Sequence, residues 1–211
     1  MSVADLAPIR SDVDDALADL RAFGCCRVAG LLPPALLDRV AAAVSRLAAA
    51  DRDGPDPYAY GRTNQRVWSL IHRDDVFLEL AEHAPALGIM RSMLGPDPLL
   101  SNMSANIVGP GGAGMVAHWD QDWAERPWPH ALVAHAIWML DDFTEANGPT
   151  LVWPGSHLLA GPPQGEGRPA TGPAGTCLMV DGRTWHAVAP NRSPSSRRGV
   201  LAYYCRPYIR Q

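Results

Sequence analysis

The chain has 211 residues, enough for one domain with a full core and too few for two ordinary ones. Hydrophobic residues make up 47 % and charged residues 19 %, a globular balance that excludes an intrinsically disordered chain. The net charge is -4 and basic residues gather only at Arg197-Arg198 and near the end, so neither nucleic acid nor an anionic membrane is an expected partner.

The first residues lack a charged-then-apolar leader pattern, and no run reaches the roughly 18 apolar residues of a membrane span. Cys25, Cys26, Cys177 and Cys205 form no C-x-x-C pair. They read as reduced thiols, and the expected location is cytoplasmic.

In chain order, residues 11–23 are expected to form a helix. Ser11 would be its N-cap, Asp12, Asp14 and Asp15 would fill the first turn, and Val13, Leu17 and Leu20 would share one face. Pro33-Pro34 opens a second helix to about residue 50, with Leu36, Leu37, Val40, Val44 and Leu47 at helical spacing. Residues 51–66 read as a polar loop. Residues 75–83 and 86–94 read as two more helices, the last stopped by Gly95-Pro96. Strands follow at 99–108, 115–119, 131–140, 150–153, 176–180 and 200–204. Residues 161–175, with five glycines and four prolines, read as a long exposed loop. Helices over about 1–96 and strands over about 97–211 indicate a single α+β, mainly β domain built on an antiparallel barrel or jelly roll.

Chemistry concentrates at His118-Trp119-Asp120. Side chains alternate along a strand, so His118 and Asp120 point the same way and can bind one cation together. Two ligands are not a site, and H-x-D alone is common by chance. His186, 68 residues downstream, is the candidate third ligand. Two imidazoles and a carboxylate on one face of an octahedron suit Fe(II) and leave three positions, two for a chelating 2-oxo acid and one for O2. Arg197 lies 11 residues beyond His186, at the start of the last strand. Its guanidinium can take the far carboxylate of 2-oxoglutarate as a bidentate pair. Arg198 is the alternative anchor, because a one-residue register shift exchanges the faces.

The residues from His118 to Asp122, the segment Asn147 to His157, Trp185-His186, Pro190 to Ser193 and Arg197-Arg198 together resemble the phytanoyl-CoA dioxygenase-like family of Fe(II)/2-oxoglutarate oxygenases. The resemblance spans residues 60–205. It implies a cupin-like double-stranded β-helix with helices packed on the barrel. It also implies His118, Asp120 and His186 as iron ligands and Arg197 as the 2-oxoglutarate anchor. Halogenases of the family replace the carboxylate by a small residue, whereas Asp120 fills that position here. Two residues past the distal histidine the family often carries a hydroxyl, whereas this chain has Val188.

Other candidates surround this set. Asn102, Ser104 and Asn106 share one face of their strand, and Asn102 and Asn106 are candidates to touch 2-oxoglutarate or substrate. Trp123 and Trp128 are candidate substrate walls, and Arg66 lies in a candidate lid over residues 58–68. His135 reads as a hydrogen-bonded core or pocket histidine, His157 as part of a turn, and His72, His83 and His130 as surface residues. Gly109 to Gly114 matches G-x-G-x-x-G, but a strand rather than a helix follows, so it reads as a hairpin loop. The expected activity is a dioxygenase using Fe(II), 2-oxoglutarate and O2 to hydroxylate an unactivated C–H bond of a small metabolite. The competing expectation is a cupin-like isomerase or hydrolase using the same triad without 2-oxoglutarate. Monomer and homodimer are both open.

Overall fold

The structure is a computed structural model that describes residues 4–52, 63–125 and 127–209. Four α-helices, α1 (Val13–Phe23), α2 (Pro34–Asp51), α3 (Val76–Ala81) and α4 (Ala84–Leu94), precede most of the strands. The strands are β1 (Ile9–Arg10), β2 (Cys25–Val28), β3 (Asn64–Val67), β4 (Leu99–Val108), β5 (Met115–His118), β6 (Val133–Met139), β7 (Thr150–Val152), β8 (Arg168–Pro169), β9 (Cys177–Asp181), β10 (His186–Val188) and β11 (Arg197–Cys205).

They form two sheets. The larger runs β1-β2-β9-β6-β11-β4-β3 and the smaller β5-β10-β7-β8. Among the described residues only the β1–β2 pair is parallel. This is the jelly-roll architecture expected of a double-stranded β-helix.

The strands β2, β9, β6 and β11 of the large sheet each serve two cores. Val200, Ala202 and Tyr204 of β11 and Ala134, Ala136 and Trp138 of β6 pack with Val40, Val44, Leu47, Phe77, Ile89 and Met90 of the helices. The other face of the sheet places Ile137 and Met139 of β6 and Leu178 and Val180 of β9 with Val152 of the smaller sheet and with Phe143. Period-two alternation divides them.

Several expectations change. α1 is capped by Asp12, not Ser11: the Asp12 carboxylate accepts from the N–H groups of Asp14 and Asp15 at 2.9 and 3.0 Å. The helix stops at Gly24, which adopts φ 74°. A Cβ there would lie 2.3 Å from Thr184 Oγ1, so the close approach demands glycine as much as the backbone does. His83 is not a free surface residue. It caps α4 and lies edge-on to Trp138, with ring centroids 5.1 Å apart.

The first half is not purely helical, because β1, β2 and β3 all join the large sheet. β2 is buried along its whole length, so it shows no alternation to read. β3 lies in the stretch expected to be loop and pairs with β4 from Asn64 to Val67. Of the candidate lid, residues 58–62 lie outside the described residues, and 64–67 are strand. The Gly/Pro-rich segment is not wholly exposed either. β8 pairs with β7, and Ala170 is fully buried.

Candidate metal centre

β5 ends at His118, and Asp120 follows two residues on. The Asp120 backbone N–H donates to the Gly182 carbonyl at 2.9 Å. Its carbonyl accepts from Trp123 Nε1 at 2.9 Å and from Tyr203 Oη at 3.2 Å. His186 opens β10 and pairs directly with His118 across the ladder. Side chains far apart in sequence therefore meet because their strands are neighbours. His118, Asp120 and His186 each offer a ligand atom within 4.8 Å of the others, and among the described residues no further such group occurs.

Backbone carbonyls aim both imidazoles. His118 Nδ1 lies 3.1 Å from the Val116 carbonyl, and His186 Nδ1 lies 3.1 Å from the Thr184 carbonyl. Each Nδ1–H donates there, which leaves each Nε2 lone pair free toward the centre. The His118 Nε2 and His186 Nε2 atoms are 3.8 and 3.5 Å from the Asp120 carboxylate. Burial pushes the Asp120 pKa up, but the imidazoles of His135, His186 and His118 outweigh it and hold the carboxyl well below the usual carboxylate range. Burial lowers the His186 pKa, partly offset by Asp120, so its imidazole favours the neutral, ligating form. Asp120 Oδ2 is buried without a hydrogen bond. Converging nitrogen donors around an unsatisfied carboxylate oxygen fit a divalent cation of intermediate softness.

The triad opens into a cavity of about 70 Å³ whose lining also includes Arg197, Asn106, Arg66, Thr150 and His135. Arg197 is 1 % exposed. Its guanidinium donates to the Gly148 carbonyl and stacks 4.4 Å above the Phe143 ring, while Nε has no hydrogen bond. Burial pushes its pKa down to about 9, with Asp141 opposing. No carboxylate among the described residues pairs with it. Arg198 does the opposite. It points to the helical side and forms an ion pair with Asp141 at 2.6 Å and a bond to Ser45 Oγ at 2.8 Å. The cavity-facing arginine is therefore Arg197.

The remaining candidates divide. Asn106 and Arg66 pair across β3–β4 and both reach the cavity. Asn102 sits opposite Tyr203 and is not among the cavity-lining residues. Trp123 is exposed beside Asp120. Trp128 lies against Trp119 and lines a separate groove with Leu158 and Arg183, not the triad cavity. Ser156 and His157 are buried in the turn, where Ser156 Oγ accepts from the Trp185 N–H at 2.9 Å.

Two residues at the site, Thr150 in the cavity wall and Tyr203 behind Asp120, are not marked by local sequence. Thr150 pairs with Val188 across β7–β10, so a hydroxyl stands next to the position where Val188 has none. Tyr203 reaches the Asp120 carbonyl from β11. His135 had one local signal, an imidazole in an otherwise apolar strand. It lies in the cavity wall, yet neither ring nitrogen has a hydrogen bond.

Comparison with known proteins agrees with this architecture. The chain is 32 % identical to dioxygenase af480 of Aspergillus fumigatus over 225 aligned positions, covering 94 % of this chain and 69 % of that one. It is 30 % identical to dioxygenase FUM3 of Gibberella moniliformis, covering 56 % of this chain and 43 % of the relative. Among solved structures, the nonheme α-ketoglutarate-dependent epimerase SnoN from nogalamycin biosynthesis superposes with a TM-score of 0.77 at 22 % identity, over 92 % of this chain and 83 % of that one. HygX of Streptomyces hygroscopicus, solved with nickel, 2-oxoglutarate and hygromycin B bound, superposes with a TM-score of 0.79 at 14 % identity over 92 % of this chain and 88 % of that one. At these identities the two structures establish a shared fold. The family described as phytanoyl-CoA dioxygenase matches residues 20–199. With a two-histidine, one-carboxylate cluster and that match across most of its length, the chain belongs to the phytanoyl-CoA dioxygenase family.

Proposed function

We propose that the protein is an Fe(II)/2-oxoglutarate-dependent oxygenase acting on a C–H bond of a small, partly apolar molecule. The observation that carries this reading is the pairing of an open three-donor cluster with a buried guanidinium that lacks a carboxylate, both facing one cavity. His118, Asp120 and His186 would hold the iron. Arg197 would take the distal carboxylate of 2-oxoglutarate, supplying the anion partner that a buried guanidinium needs. Asn106 and Thr150 would complete the polar wall. Bound iron, 2-oxoglutarate and O2 would together supply an oxidant able to remove a hydrogen atom from an unactivated carbon.

The chain's own residues do the rest. The backbone bonds of His118 and His186 keep their rings oriented before metal arrives. Ile137, Leu201 and Met115 line the same cavity and exclude water from the reacting carbon. Exposed Trp123 flanks the Asp120 segment at the protein surface and is a candidate substrate contact. Arg66, which also stacks on Trp68 at 4.9 Å, is a candidate contact for a polar substrate group. Trp128 lines a separate groove, so a substrate would meet it only by extending beyond the triad cavity.

The favoured outcome is hydroxylation. A second outcome has a specific observation behind it: fold neighbours include an epimerase, SnoN, and a carbocyclase, SnoK. Anaerobic addition of 2-oxoglutarate to the Fe(II) protein is expected to produce a visible charge-transfer band. Metal binding without that band would favour the cupin-like hydrolase or isomerase instead. A metabolite panel read by succinate release and product mass separates the oxidative outcomes: one added oxygen for hydroxylation, two lost hydrogens for desaturation or ring closure, and unchanged mass for epimerisation.

A further inference from the structure

His135 stands in the middle of β6, on the face that looks into the cavity. It is buried, and its ring lies edge-on to Tyr203 with centroids 4.5 Å apart. Its Nε2 is 2.9 Å from Asp120 Oδ2, closer than either histidine of the cluster comes to that carboxylate. The approach lies off the line of an N–H···O bond. Asp120 Oδ2 and both nitrogens of His135 are therefore buried polar atoms without a hydrogen bond. Buried orphan polar groups are destabilising, and two of these, His135 Nε2 and Asp120 Oδ2, already lie within hydrogen-bond distance of each other. His135 does not belong to the group of mutually close donors formed by His118, Asp120 and His186.

We infer that His135 is a positioning residue for the metal centre: in the metal-loaded protein its Nε2–H donates to Asp120 Oδ2, holding that oxygen back so that Asp120 ligates through Oδ1 alone. The inference rests on the proposed iron site. The carboxylate needs only a rotation about its Cβ–Cγ bond, a broad and soft torsion, to bring the 2.9 Å contact into line. The strands on either side set the ring's place, because His135 is paired with Tyr203 on β11 and Val180 on β9. The consequence is chemical. A carboxylate held to one donor oxygen occupies one coordination position, which leaves three positions for a bidentate 2-oxo acid and O2. A carboxylate free to chelate through both oxygens would fill one of them.

The test compares His135→Gln, His135→Asn and His135→Leu with wild type. The Gln amide nitrogen reaches about as far from the backbone as imidazole Nε2, whereas the Asn amide falls short. Anaerobic Fe(II) titration gives the affinity, the Fe(II)·2-oxoglutarate charge-transfer band reports the coordination, and melting of the metal-free protein reports the fold. The Leu and Asn variants are expected to bind Fe(II) about 10- to 100-fold more weakly with an altered band, while Gln restores most of both. Wild-type affinity and band in the Leu or Asn variant would reduce His135 to a wall residue and overturn the inference. Gln as weak as Leu would make the imidazole itself a ligand, which also overturns it. If Leu fails to fold, the Gln–Asn pair decides alone. Failure of the wild-type protein to bind Fe(II) would sink the proposed function itself, a result no variant can mimic.

Discussion

The two faces of the large sheet use one set of strands for opposite ends. On the helical face, Trp138, Val200, Ala202 and Tyr204 meet apolar helix side chains, and the charges of Arg198 and Asp181 are matched by Asp141 and Arg183. On the inner face, His135, Asn106 and Arg197 line a cavity, and several of their polar atoms have no partner. Adjacent arginines show the contrast at its sharpest. Arg198 is satisfied within the protein, while Arg197, one residue earlier, is buried with no carboxylate partner among the described residues. A folded chain keeps unsatisfied buried polarity where a ligand will complete it, so the two faces separate what makes the fold from what the fold holds ready.

Substitutions can break this comparison or sharpen it. The largest effect is expected for Asp120→Ala. Fe(II) affinity should fall beyond the ~100-fold typical of losing an outer-shell partner, and succinate release should vanish. The metal-free protein should still melt cooperatively; a variant that retained metal would disprove the division of labour. On the other face, Trp138→Ala removes the largest buried side chain of the helix–sheet contact. Denaturant unfolding should show about 3–5 kcal/mol of lost stability, with Fe(II) affinity retained wherever the variant folds. For the arginine pair, Arg197→Leu should weaken 2-oxoglutarate binding by roughly a hundredfold, through loss of one partner of a buried charge pair. Its stability should be little changed or higher, because a desolvated guanidinium has been removed. Arg198→Leu should leave 2-oxoglutarate binding intact and cost only about 1 kcal/mol of stability. Exchanged effects in isothermal titration would assign the anchor to the wrong residue.

Smaller effects refine the picture. Asp12→Ala should cost ~1 kcal/mol through loss of the α1 cap, whereas Ser11→Ala should be nearly silent by the same denaturant measurement. The pH dependence of the metal-free protein tests the inner face. His186 has a folded-state pKa below its unfolded value near 6.5, set first by burial. Its contribution to stability is therefore complete above about pH 6.5 and is lost as the pH falls through the folded-state value. Melting temperature should drop on acidification below that point, and His186→Asn should flatten the drop.

Parts of this molecule are written locally. The amphipathic spacing of Leu36 to Leu47 marks α2, and Pro33-Pro34 marks its start to within a residue. The alternation of Asn102, Ser104 and Asn106 against Met103, Ala105 and Ile107 separates the two faces of β4. H-x-D places two donors on one side of the chain, and an arginine at the head of the last strand is a rational anion anchor. These features need only short-range geometry, the helical and strand periods, to be legible.

Other parts exist only through pairing between distant segments. β2 is uniformly buried and β3 is a polar edge strand, so neither carries a period that distinguishes it from its surroundings. Asn106 reaches the cavity and Asn102 does not, although both occupy the same face, because four residues along a strand separate them by about 13 Å and only the packing of the strands decides which end stands at the cavity. Thr150 is a pocket residue because β7 lies beside β10, and His135 meets Asp120 because β6 lies opposite the end of β5. Sequence by itself determined which donors and which helices the chain possesses, since those follow from residue type and local period. Tertiary structure decided which donors share one cavity, since strand register across a barrel is a long-range choice that no single segment encodes.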